Sequence, residues 1–145
     1  MKVSDIVGVR KPVVTVTSTS RLGEVSRTMR MAGVGAAVVS AGPDRLAGVI
    51  TEREIVHAVG LGGPAAVNLS AGEAMSSPVP ICAPTDFVPD VMHRMLSHRI
   101  RHLALVEDGH LVGMVSTGDV MKALLDRMEM EANVLRDMYL TARSQ

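Results

Sequence analysis

The chain has 145 residues, is 47% hydrophobic, and carries fifteen acidic against fifteen basic side chains. Such a length buries roughly 68–70% of its extended surface in one compact unit and needs no disulfide or metal to hold a core. Zero formal charge removes the long-range field that draws proteins to phosphate backbones or anionic lipid.

The opening MKVSDIVGVRKP lacks the apolar core of a signal peptide, so a cytoplasmic location is expected. No apolar run approaches the ~18 residues of a membrane span. Val13–Val16 reads as a β-branched strand, followed by Ser/Thr turn residues. Leu22, Val25, Met29 and Ala32 then recur at helical spacing. Ala36–Val39 and Leu46–Ile50 are short apolar strands joined by the turn sequence SAGPDR. A helix comes next, with Ile55, Val56 and Val59 on one face. GLGGPAAVNLSAG, around residues 60 to 72, reads as a linker.

The same order then repeats. Val79–Ile81 is the second lead-in strand, and Val88, Val91, Met92, Met95 and Leu96 mark the next helix. Leu103–Val106 and Leu111–Val115 form a strand pair around EDGH, and Val120, Met121 and Leu124 open the closing helix. GVITEREIVHAV (48–59) aligns with GMVSTGDVMKAL (113–124) so that only two of twelve columns change chemical class. Each unit is β-α-β-β-α. Residues 1–66 are expected as the first repeat, 67–124 as the second and 125–145 as a helical extension. In that extension Met121, Leu125, Met128, Ala132, Leu135 and Tyr139 keep a/d spacing. This seam lies either on its own domain or against a partner, with Arg127 and Glu131 an i,i+4 pair on its flank.

The repeated hydroxyl-x-x-acid has two readings. Thr51-x-x-Glu54 and Ser116-x-x-Asp119 fit the capping box, in which hydroxyl and acid satisfy the first amides of a helix. The same helix start attracts phosphate, and a carboxylate beside it accepts hydrogen bonds from both hydroxyls of a ribose. Arg101 and His102, at the mouth of a strand in the second repeat, add cationic character.

Through GVITEREIV, GMVSTGDVM, VGAAVV, IRHLALV, RKPVVTV and SSPVPIC, the chain resembles the CBS domain family over residues 1 to about 124. The resemblance implies a mixed α+β fold, with two β-α-β-β-α repeats related by a pseudo-two-fold axis, plus the C-terminal helix. It also implies two clefts between the repeats that take adenosine compounds. In the better cleft Ser116 would lie near phosphate, Asp119 on the ribose and Arg101 and His102 toward the phosphates. Pro12, Val13 and Val14 would line the adenine, with Val34 closing one side. The second cleft would use Gly35, Ala36, Thr51, Glu54, Pro78, Val79 and Pro80. It is expected to be weak, empty or selective for an uncharged adenosine compound, because Gly35 and Ala36 stand where Arg101 and His102 stand in the other repeat.

The expected function is a non-catalytic regulatory sensor with AMP, ADP or ATP as ligand, S-adenosylmethionine or NAD being less favoured, and no required cofactor. A ligand-free dimerisation scaffold is the rival. A homodimer through the repeat helices, exposing Met29, Met92, Met95 and Met121, and through the C-terminal helix is expected, with an effector protein as a further partner. RNA binding would rest on Arg94, Arg99 and Arg101, against the neutral charge and the near absence of stacking aromatics, Phe87 and Tyr139 alone. The five histidines scatter over different elements and suggest no metal site. Cys82 reads as a small buried hydrophobe.

Overall fold

The computed structural model describes residues 1–7 and 12–145; Arg10 and Lys11 of the RKPVVTV run lie outside them. Two three-stranded sheets carry the two repeats. In the first, β1 (Thr15–Thr17) runs parallel to β2 (Ala36–Gly42), which pairs antiparallel with β3 (Arg45–Thr51). In the second, β4 (Ile81–Cys82), β5 (His102–Glu107) and β6 (His110–Ser116) repeat that order and those directions. Parallel neighbours need a crossover, and α2 (Leu22–Ala32) and α5 (Val88–His98) supply it. The lead-in strands form later than their β-branched runs suggest. Their preceding residues serve as acceptors only: Val14 O takes the Val38 amide at 2.9 Å, and Pro80 O takes the Ala104 amide at 2.8 Å.

The crossover helices bury the expected stripe at Leu22, Val25 and Met29 and at Val88, Val91 and Met95, while Ala32 and Leu96 are exposed. The helix after each hairpin is α3 (Glu52–Gly62) or α6 (Thr117–Arg143). Its expected inner face is corrected in part: Val120 is buried and Ile55 and Leu124 pack against the cores, but Ala58 is buried with them, whereas Val56, Val59 and Met121 face outward. The register sets this, since each helix starts directly on its capping residue at the end of a strand, and 3.6 residues per turn then fixes the direction of every later side chain. The expected exposed methionines are corrected likewise, for Met29 and Met95 lie in the cores, Met92 packs against one of them, and only Met121 of the four is exposed.

The Gly/Ala stretch is ordered. Gly63–Asn68 forms a 3-10 turn and Ala71–Ala74 a short helix, α4, while Val3–Ile6 forms its counterpart, α1. Each short helix packs with the other repeat. Val3 joins Val88, Val91, Leu103 and Val120 in the second core, and Ala66 and Ala71 join Leu22, Val25 and Ile50 in the first. Backbone bridges repeat the exchange, Lys2 with Phe87 and Ser70 with Arg21. Ser76 bridges Val49 at the edge of β3, and a Cβ on Gly48 would stand 2.8 Å from Ser76 O and collide with Met75, so this close approach requires glycine.

Candidate functional site

Among the described residues, a cleft of about 270 Å³ and another of about 640 Å³ lie between the repeats. The first is headed by Ser116 and Asp119 at the start of α6. Pro12, Val13, Val14 and Val34 stand in its wall, as the sequence places them. Gly35 and Ala36 line this cleft too, not the other one. The second is headed by Thr51 and Glu54, with Pro78 and Pro80 in its wall; Val79 does not line it.

Arg101 is the main displacement. It lines the second cleft, with Thr51 and Glu54, rather than the first with Ser116 and Asp119. Its carbonyl accepts the Thr117 amide at 2.8 Å, just as Gly35 O accepts the Glu52 amide at 3.2 Å. With its carbonyl turned to its own repeat's helix, the residue sends its side chain toward the other repeat's motif. His102 borders both clefts. The second cleft therefore does not lack a cation, which removes the reason for expecting it to refuse phosphate; Arg53 lines it as well, its guanidinium held by Arg99 O at 2.6 Å.

Both hydroxyl–acid pairs form capping boxes, with different reserves. The Ser116 amide donates to Asp119 Oδ2 at 2.8 Å, and the Asp119 amide donates to Ser116 Oγ at 3.2 Å. Asp119 Oδ1 has no partner among the described residues. Glu54 is used up. Its Oε2 accepts the Thr51 amide at 2.7 Å and the Thr51 hydroxyl, and its Oε1 accepts the Ser76 hydroxyl at 2.8 Å. Burial pushes the Glu54 carboxyl up, but the hydrogen bonds from Thr51 and Ser76 outweigh it and hold the pKa below the ordinary 4.5.

His102 opposes Ser116 across the β5–β6 ladder and stands against Gly35, where an added Cβ would meet its Cε1 and Nε2 at 3.3 Å. Its Nδ1 is buried without a hydrogen-bond partner among the described residues. Burial lowers its pKa below 6.5 by more than the Glu52 and Asp119 carboxylates raise it, so the ring is neutral at pH 7. Cys82 is 3% exposed and its thiol is pushed up to about 11, first by burial and then by Asp86, so it offers no thiolate. Among the described residues no three His, Cys, Asp or Glu side chains gather closely enough to hold a metal ion, and no helix is long and apolar enough to cross a membrane.

Sequence reasoning missed several lining residues. Ile6 and Val7 reach the first cleft because α1 crosses to the second repeat, and Met114 adds a flexible apolar contact from β6. Ser76 and His57 join the second. Ser76 was within reach of the repeat alignment, being two residues before Pro78, but its bond to Glu54 spans the fold.

A family model for the CBS domain matches residues 3–61 and 71–126. A CBS-domain-containing protein from Agrobacterium tumefaciens shares 34% identity, with a TM-score of 0.79 over 85% of this chain and 98% of its own. A CBS domain protein from Pyrobaculum aerophilum, solved as a complex with AMP, is 30% identical, with a TM-score of 0.72 over 82% of this chain and 89% of its own. A mitochondrial CBS domain-containing protein of Arabidopsis thaliana is 30% identical over 113 residues, 75% of this chain. The chain spans 55% of that relative's length.

Proposed function

Because the chain belongs to the CBS domain family, with both repeats present, we propose that it is a regulatory protein that binds an adenosine compound in the cleft headed by Ser116 and Asp119. AMP, ADP or ATP is the preferred class. The observation that carries this reading is the unpartnered Oδ1 of Asp119 at a cavity walled by aliphatic side chains. A ribose offers two hydroxyl donors to such a carboxylate, and the start of α6 offers amide dipoles to a phosphate. Val13, Val14 and Val34 supply a flat apolar wall for the base, and the AMP complex of the Pyrobaculum relative supports the ligand class. The cleft stands at the lower edge of ordinary small-ligand volumes, which suits a mononucleotide better than a dinucleotide. The second cleft has Arg101 as a phosphate anchor, but Glu54, which stands where Asp119 stands in the first, has both oxygens engaged by Thr51 and Ser76, so it binds the same class more weakly.

The output is a change of cleft width passed to an effector protein, driven by the ligand's different affinity for the two states. Self-association through outward helix residues such as Val56, Val59 and Met121 belongs to the same reading. The role in this reading is regulatory.

A thermal-shift panel of AMP, ADP, ATP, S-adenosylmethionine and NADH tests it. A ligand at a hundredfold above its Kd adds ~2.7 kcal/mol. Asp119→Ala is expected to abolish that gain, and to cost the free protein about 1 kcal/mol through the lost cap. The rival, a scaffold without ligand, has its own support, since both capping boxes close with nothing bound. A parent protein indifferent to every compound in the panel decides for the scaffold.

A further inference from the structure

The last helix leaves the body and carries its seam with it. α6 runs unbroken from Thr117 to Arg143, and every residue from 125 onward is exposed. Met121, Leu125, Met128, Leu135 and Tyr139 are 51–66% exposed, a continuous a/d stripe with Ala132 in its middle. Packing in cis is thereby excluded. An isolated helix with so much apolar surface is poorly stable in water and gains from a partner.

The charges say which partner. Residues 121–145 carry four acidic and four basic side chains, whereas a helix made for anionic lipid has a basic polar face. With Leu125, Ala132 and Tyr139 at a and Met121, Met128, Leu135 and Ala142 at d, Glu131 falls at g and Arg136 at the following e. In a parallel, in-register pair of identical helices, g faces the e of the next heptad on the partner, and such pairs set orientation. Glu131 then meets a second copy's Arg136 twice by symmetry. The remaining g–e contacts, Leu124 with Glu129 and Met138 with Arg143, bring no like charges together. An antiparallel pair joins Glu129 to Arg136 but in the same register sets Lys122 beside Arg143 twice, a like-charge cost the parallel pair does not have. Glu131 is also prepared, since Arg127 occupies its Oε1 at 3.2 Å and leaves Oε2 unpartnered among the described residues.

We propose that α6, from Met121 to Tyr139, pairs with α6 of a second copy of this chain as a parallel, in-register two-stranded coil. Such pairing does not depend on a ligand in either cleft. Leu125→Cys in the purified full chain tests it under mild oxidation, with the parent as control because Cys82 is buried. A disulfide-linked dimer is expected from Leu125→Cys, with its rate cut at least tenfold when Leu135→Glu is added. Mixing Glu131→Arg chains with Arg136→Glu chains is expected to give mostly mixed dimers, since each alone sets like charges together and the mixture restores both pairs. A monomer in sedimentation overturns the proposal. So does cross-linking only between Leu125→Cys and Ala142→Cys, residues about 25 Å apart along the helix in the parallel arrangement, and so does a Leu125→Cys dimer indifferent to Leu135→Glu, which would place the contact elsewhere.

Discussion

Glu54 and Asp119 occupy the same place in the two repeats and differ by one methylene, yet that difference decides what each has left to give. The longer Glu54 reaches Ser76 as well as its own cap, and both oxygens are engaged; the shorter Asp119 stops at the cap. A carboxyl whose pKa is lowered on folding stabilises above its unfolded value, and that contribution is lost as pH falls through the folded one. Glu54→Gln is therefore expected to lose about 1 kcal/mol at pH 7, below the 1.5–3 typical of charged hydrogen bonds because the site is half open to water. The loss should shrink toward zero as pH drops below 4.5, as read from urea midpoints across pH 3–7. His102 acts in the same direction at higher pH. Its lowered pKa makes the unfolded chain bind more protons just below pH 6.5, so stability falls with acidification from there, and His102→Gln flattens that slope.

At the scale of elements, the two crossover helices end alike at the backbone and differently in sequence. Gly33 closes α2 with φ 65°, and Arg99 closes α5 with φ 53°. Glycine adopts this left-handed conformation freely, whereas a side chain does so at a cost. Arg99→Gly is expected to stabilise the chain by up to about 1 kcal/mol in chemical denaturation. The bond from Arg53 persists because it uses the Arg99 carbonyl. The long elements were legible because their signals are local. Helical spacing from Leu22 to Met29 and alternating turn and apolar runs marked helices and hairpins closely. α1 and α4 were illegible, being four residues each and held by burial in a distant core. The outward turn of Val56 and Val59 was hidden for a related reason: an apolar residue on a helix announces burial, but the register of its cap decides which face receives it.

Across the whole molecule, the alignment of one half on the other revealed the two clefts and both motifs but misassigned Arg101. A repeat shows which residues are equivalent; it does not show across which gap a side chain points. Arg101 and Gly35 are equivalent, and each faces the motif of the opposite half. The same exchange governs stability. Val3, fully buried in the second core, is 85 residues from Val88, beside which it packs. Val3→Ala is expected to cost roughly 1–3 kcal/mol and to raise amide exchange in α5 and β5 rather than in α2 and β2, which hydrogen-exchange mass spectrometry resolves.

The crossed placement of the two short helices has a consequence for how this chain tolerates damage. A lesion near the beginning weakens the half translated last, and one near residue 71 weakens the half already made. Cutting the chain between its duplicates would not yield one good cavity and one ruined; it would strip a wall from each, so neither duplicate is a spare for the other.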